Sequence, residues 1–486
     1  MSFVQTWLHE QVRSSPDDLC ITTADHSYTF SQLAAEVDLL AQSLLTKGWQ
    51  EETVATWLPD SLDMVLALWA VPRSGGVLLP LHASLKPDEV SSYMSLAGCS
   101  RLLTEQSRID EFRKHLPEGA EVMMVDEREG IEIGRISRVV SHRKHQLHSI
   151  LLTSGTTGRP KGVQLTYDNH QASMDGWIAY LGLTRRSHYL CTLPLSHVAG
   201  MGILLRGARA GFAVNFLPKF DASAVNTRLD SGTVTHISLV PTQLSSILRQ
   251  RDGRPFHKAV EGIILGGGPV PLDLIEQALS LKAPLIVTYG MTETASGVTA
   301  VQVDEHPDKK GTVGRAIGAG KIMITDDDGT ELKAGEIGQV RIQSSAVMAG
   351  YLEQPAIGGN TFTTGDTGWR DEDGFLYLAA TRESTIITGG ENVDPLEVES
   401  VLSSIPGVVE AGVIGIPDSE FGQRVVAVVV LDEQGLVADE LLNLCRQRLA
   451  SYKVPKAIEI WEQLPRSHSG KLKRVELALA LSNSDI

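Results

Sequence analysis

Leu151 to Gly162 reads LLTSGTTGRPKG. The apolar run Ile150–Leu152 predicts a strand. Six small hydroxyl or glycine residues follow without interruption: Thr153, Ser154, Gly155, Thr156, Thr157 and Gly158. Lys161 closes the loop behind Pro160. Glycines let backbone N–H groups approach phosphate oxygens, hydroxyls add adjustable donors, and a lysine adds a point charge. A flexible surface turn would account for a generic Gly/Ser loop. It does not account for six such residues pinned between an apolar strand and Pro-Lys-Gly. The spacing is not that of GxxxxGK[ST], because Gly162 follows Lys161, and before Gly470–Lys471 the first glycine position holds Pro465. The stretch therefore predicts a polyphosphate cradle outside the P-loop class.

On the N-terminal side, a helix is predicted over Trp7–Val12, strands over Cys20–Thr22 and Ser27–Phe30, and a helix opened by Ser31 and running to about Lys47. Strand, helix and strand follow at Val54–Leu58, Asp60–Trp69 and Gly75–Pro80. On the C-terminal side, strands at Phe212–Leu217, Val234–Leu239, Gly262–Leu265 and Leu285–Thr288 alternate with helical stretches. This order predicts an α/β fold with parallel layers. From about residue 305 to 380 the pattern changes to short alternating runs with Gly and Asp turns, a β-rich subdomain. Beyond a polar stretch comes an α+β module, with a helix at Asp394–Ser403, strands at Val408–Ile416 and Val425–Leu431, and a helix at Ala438–Ser451. The expected domains are 1–381 and 382–486.

Composition narrows the function classes. A chain of 486 residues exceeds one compact core. A net charge of −16 argues against nucleic acid as partner. Cys20, Cys99, Cys191 and Cys445 are far apart and show no metal spacing, so reduced thiols are expected. The N-terminus shows no charged region followed by an apolar stretch. The longest apolar run, Met64–Leu81, is broken by Pro72, Arg73 and Gly75–Gly76, so no membrane span is expected and a cytoplasmic setting follows by default. Homo-oligomerisation is left open.

The run TSGTTGRPKG resembles the phosphate-binding motif of the adenylate-forming superfamily, which includes acyl-CoA synthetases, firefly-type luciferases and peptide-synthetase adenylation domains. The superfamily's other motifs recur in order: Leu193–His197, Gly266–Pro269, Tyr289–Glu293, Thr364–Asp366, Gly389–Glu391 and Ser469–Lys471. The resemblance implies an ATP-dependent acyl-CoA ligase with a mobile C-terminal domain, using ATP, Mg²⁺ and coenzyme A, and acting on a small carboxylic acid.

By the same resemblance, Thr153–Gly158 and Lys161 hold phosphates, Thr292 contacts the α-phosphate, and Glu293 with Thr156 binds Mg²⁺. Gly267, Gly268, Tyr289, Gly290 and Met291 surround the adenine, and Asp366 takes the ribose hydroxyls. Lys471 bridges the attacking carboxylate and the α-phosphate. His197, Gly266, Gly267 and Ser296 line the acyl pocket, with His197 as its gate. Gly389, Gly390 and Glu391 close the thiol channel after the C-terminal domain rotates. One departure stands out. Counting back from Gly389, Thr381 occupies the usual hinge-segment arginine position and Glu383 the hinge, while Arg382, assigned to the nucleotide, is one residue out of register.

His197 and Ser296 are polar, which suits an acid with a second polar group, although a gate without specificity reads equally well. Arg206 is either a counter-ion or a surface charge. Within the superfamily, LGGGPVP, YGMTETAS and IITGGENVDPLEVES are most similar to CoA ligases of bacterial menaquinone biosynthesis, whose acid carries an aliphatic and an aromatic carboxylate. Other aryl or medium-chain acyl-CoA ligases, and other acyl acceptors, stay open on this reading.

Overall fold

The computed structural model describes residues 2–128, 138–143, 145–153, 161–268, 270–379, 386–388, 391–418, 421–432, 435–449, 451–467, 470 and 472–482. Two large sheets carry the N-terminal part. In the seven-stranded sheet, Thr53–Trp57 pairs in parallel with Val77–Pro80 and Arg101–Thr104, while Leu147–Thr153 and Lys161–Thr166 form an antiparallel hairpin. In the nine-stranded sheet, His188–Cys191, His236–Leu239, Gly262–Leu265 and Leu285–Met291 run parallel, and Ser296–Gln302 turns back against the last of them. The alternating strand and helix pattern thus gives the α/β layers expected of it.

A four-stranded antiparallel sheet follows, built from Lys321–Thr325, Gly338–Gln343, Thr361–Arg370 and Leu376–Leu378. Its core packs Ile322, Ile324, Val340 and Ile342 with Tyr289 and Val298, which locks it to the nine-stranded sheet. The C-terminal α+β unit has separate cores, one holding Val398, Leu402, Val413, Val425 and Leu441, the other Ile414, Val426 and Leu477. Helix Pro395–Ser403 packs on strand Val408–Asp418 there. The expected boundary, 381/382, lies outside the described residues.

Three local expectations need correction. Helix Phe30–Thr46 is capped by Thr29 rather than Ser31. The Thr29 hydroxyl accepts from the Gln32 N–H, and the Gln32 side chain accepts in return from the Thr29 N–H at 2.9 Å. The next helix starts at Leu62, capped by Ser61, and runs through Pro72 to Arg73. Every residue from Met64 to Arg73 is buried, so packing outweighs the proline's helix-breaking tendency. The strand expected to end at Thr288 continues to Met291, because Ser296–Gln302 supplies antiparallel hydrogen bonds to its extension.

Among the described residues, no helix is long and apolar enough to cross a membrane. All four cysteines are free and buried.

Candidate active site

Parallel strands place their loops at one edge of a sheet, where ligands collect. Gly266 follows strand Gly262–Leu265 directly and donates its N–H to the Leu239 carbonyl at 3.2 Å. The extended strand Leu285–Met291 carries Tyr289, Gly290 and Met291 to the same edge. A short 3₁₀ turn, Thr292–Thr294, then delivers Thr292 and Glu293. The buried Thr294 hydroxyl pins this turn, accepting from the Met291 N–H at 3.1 Å. Ala295 and Ser296 follow with φ of 51° and 137°, a strained pair that swings the chain back toward the sheet. A Cβ at Gly290 or Gly297 would overlap neighbouring backbone or the Trp177 ring, so only glycine permits the return strand to lie this close.

Two carboxylates on this edge are each held by a tyrosine. The Tyr289 hydroxyl donates to Asp366 Oδ2 at 2.7 Å, joining the nine-stranded sheet to strand Thr361–Arg370. The Tyr351 hydroxyl donates to Glu293 Oε1 at 2.7 Å. Burial raises the pKa of both phenols, and the neighbouring carboxylate raises each further, so both remain hydrogen-bond donors. Thr153 and Lys161 are facing partners in their hairpin, so the two ends of the predicted phosphate loop meet. Ser154, Gly155, Thr156, Thr157 and Gly158 between them lie outside the described residues, as do Pro269, Arg382, Gly389, Gly390 and Lys471. Glu391 begins strand Glu391–Val393 of the C-terminal unit. Gly267 and Gly268 are exposed beside Gly266.

His197 caps helix Val198–Ala210, which sets the other wall. Its ring centroid lies 5.7 Å from that of His82. Asp60 ties the wall down by accepting the Leu195 N–H at 2.8 Å, and burial raises its pKa against the opposing effect of that bond. Two turns further along the helix, Arg206 is only 4% exposed. It is therefore not a surface charge. Its guanidinium lies 5.7 Å from the Trp177 ring centroid and 5.8 Å from that of Tyr189. Among the described residues, no carboxylate lies within ion-pair distance and its Nε has no hydrogen-bond partner. Burial lowers the pKa of Arg206, and the Tyr189 hydroxyl works against that shift. Trp177 donates its Nε1–H to the Gly297 carbonyl at 3.1 Å, and Tyr189 shares a 2.6 Å hydrogen bond with Ser238. These contacts link Arg206 to the predicted acyl side.

The structure thus joins Tyr289 to Asp366, sets Thr153 opposite Lys161, brings Lys161 and Glu293 to Tyr351, and pairs Met291 with Ser296, while Gly266–Gly268 follow the strand beside Leu285–Met291 and His197 lies on the helix that carries Arg206. Asp60, Trp177, Ser238 and Tyr351 join them without having been read from the sequence. Their partners stand far away along the chain, and no local signal marks them.

Residues 8–352 match the family of AMP-binding enzymes, and residues 397–471 match the AMP-binding enzyme C-terminal domain. The 2-succinylbenzoate–CoA ligase of Bacillus licheniformis is 36% identical over 477 residues, covering 97% of this chain and 98% of its own. Among solved structures, the o-succinylbenzoate CoA synthetase of Bacillus subtilis in complex with the acyl-adenylate intermediate OSB-AMP superposes with a TM-score of 0.90 at 32% identity, covering 97% of each chain. The same enzyme with ATP and magnesium ion gives 0.90 at 32% identity, covering 97% of this chain and 99% of that one.

Proposed function

The chain belongs to the family of AMP-binding enzymes, and from that premise we propose that it is an AMP-forming acid–thiol ligase that converts o-succinylbenzoate to o-succinylbenzoyl-CoA. The acid's carboxylate attacks the α-phosphorus of ATP and pyrophosphate leaves. The thiol of coenzyme A then attacks the carbonyl of the acyl-adenylate, and AMP leaves.

The observation that carries the choice of acid is Arg206. A guanidinium buried among aromatic rings with no carboxylate in reach among the described residues is costly to maintain, and an anionic substrate group compensates it. A fatty chain offers no such group, whereas o-succinylbenzoate keeps a second carboxylate when the first is activated. The full-length similarity to 2-succinylbenzoate–CoA ligases supports the same acid.

On this reading the loop Thr153–Gly158 and Lys161 hold the triphosphate, and Thr292 takes the α-phosphate. Asp366 accepts the ribose hydroxyls on the carboxylate that Tyr289 steadies, and Arg382 supports the same nucleotide. Glu293, with Thr156, fits a Mg²⁺ ion: its Oε2 accepts no hydrogen bond among the described residues, and Mg²⁺ takes one or two carboxylates and leaves its remaining positions to phosphates and water. That ion would neutralise charge on the phosphates. Lys471 draws two anions together as charge builds on the phosphorus oxygens. His197, Gly266, Gly267 and Ser296 enclose the acyl group. Residues 382–486 act as the mobile unit, and Gly389, Gly390 and Glu391 border the thiol path. The proposed setting is the cytoplasm, as a monomer or homo-oligomer.

The test is a panel of acids with ATP, Mg²⁺ and coenzyme A, followed by pyrophosphate release. A preference of at least about 10²-fold for o-succinylbenzoate over benzoate and medium-chain fatty acids is expected. Equal or better turnover of a monocarboxylic acid would sink the assignment of the acid.

A further inference from the structure

The reading above gives Lys161 to the triphosphate and Glu293 to its cation, so an ammonium and a carboxylate belong to one site. Left alone, an ammonium and a carboxylate in one cleft would pair, and the pair would have to be broken to admit phosphate and cation. Neither has an ion-pair partner among the described residues. One side chain touches both. The Tyr351 hydroxyl donates to Glu293 Oε1 at 2.7 Å, and the Lys161 ammonium lies 5.2 Å from the centroid of the Tyr351 ring. That distance is within cation–π range.

The backbone holds Tyr351 firmly in this place. Strand Gly350–Tyr351 pairs antiparallel with the strand that begins at Lys161, with Val163 opposite Tyr351. Glu293 is held at its backbone as well, its carbonyl accepting the Met348 N–H at 2.8 Å. Tyr351 therefore hangs between two segments whose separation it spans.

Resting on the ligase reading above, we propose that Tyr351 is a positioning residue for acyl-adenylate formation. Its hydroxyl fixes Glu293 by one oxygen and leaves the other for the divalent cation that accompanies ATP. Its ring holds the Lys161 ammonium away from that carboxylate. The phenol does not touch the reacting atoms.

The test is Tyr351→Phe, which keeps the ring and removes the hydroxyl. Manganese binding to the protein saturated with a non-hydrolysable ATP analogue is read from the spin-resonance signal of free Mn²⁺. Removing a group that orients a metal ligand weakens metal binding by roughly 10–100-fold, and about ten-fold or more is expected here. Thioester formation from supplied acyl-adenylate serves as the folding control and should stay within about two-fold of wild type, because that step needs no triphosphate. Mn²⁺ binding equal to wild type would overturn the role of Tyr351 while leaving the ligase reading intact. A wild-type protein that takes up no Mn²⁺ with the analogue would overturn both.

Discussion

The nucleotide side and the acyl side proposed for the site solve opposite charge problems. On the nucleotide side the fixed groups are carboxylates, Asp366 and Glu293, and each is steadied by a tyrosine hydroxyl at 2.7 Å. On the acyl side the fixed group is a buried cation, Arg206, wedged against Trp177 and Tyr189 with no carboxylate in reach among the described residues. A carboxylate with a neutral donor on one oxygen is stable without ligand and still has acceptor capacity to offer. A buried guanidinium without a counter-ion is not satisfied until an anion arrives. On the proposed reading, the nucleotide side is thus preorganised by tyrosine hydrogen bonds, and the acyl side selects by holding a charge that no carboxylate among the described residues meets.

The largest effect that would break this division comes from Lys471→Ala. Acyl-adenylate formation, measured as pyrophosphate release, should fall about 10²–10³-fold, while transfer from supplied acyl-adenylate to coenzyme A stays near wild type. Equal loss of both half-reactions would contradict the role given to this lysine. Next is Arg206→Met, which should lower kcat/KM for o-succinylbenzoate by about 10²-fold and leave the residual rate with benzoate unchanged. Thermal stability should hold or rise, since a buried charge is replaced by an apolar chain of similar volume. A parallel loss with both acids would turn Arg206 into a purely structural residue.

The smallest effect at neutral pH concerns the strand Leu147–Thr153. His170 bonds to Ser149 at 2.9 Å and its pKa is pushed by burial to about 3, and burial also lowers the neighbouring His148 well below 6.5. A histidine held neutral in the fold binds fewer protons than the unfolded chain does below pH 6.5. Its contribution to stability is therefore complete above that pH and is lost as pH falls toward the folded value. The urea midpoint should be flat above pH 6.5 and decline steeply below it, by up to about 1.4 kcal/mol per pH unit for each such histidine. His170→Asn should flatten that decline. An unchanged slope would mean that other groups govern acid unfolding.

The two sides also differ in how readable they are. TSGTTGRPKG, YGMTE and TGD are contiguous, and each is proposed to act largely through its own backbone or side chains, so the nucleotide side is legible residue by residue. The acyl side depends on groups contributed singly by distant segments. Arg206 read more readily as a surface charge than as a counter-ion, since nothing in GILLRGARAG says that Trp177 and Tyr189 will close over it. The extension of strand Leu285–Met291 was hidden for the same reason: its last hydrogen bonds come from a strand that follows only after a strained turn.

By itself, the sequence determined the layered α/β architecture, the order of the motifs and the class of reaction, because periodicity and contiguous motifs are local properties of a chain. The tertiary structure alone decided which charges are paired. Tyr289 meets Asp366 across 77 residues and Tyr351 meets Glu293 across 58, while Arg206 is left without a carboxylate among the described residues. The energy of a charge depends on burial and on near neighbours in space, and neither can be computed from its position in the chain.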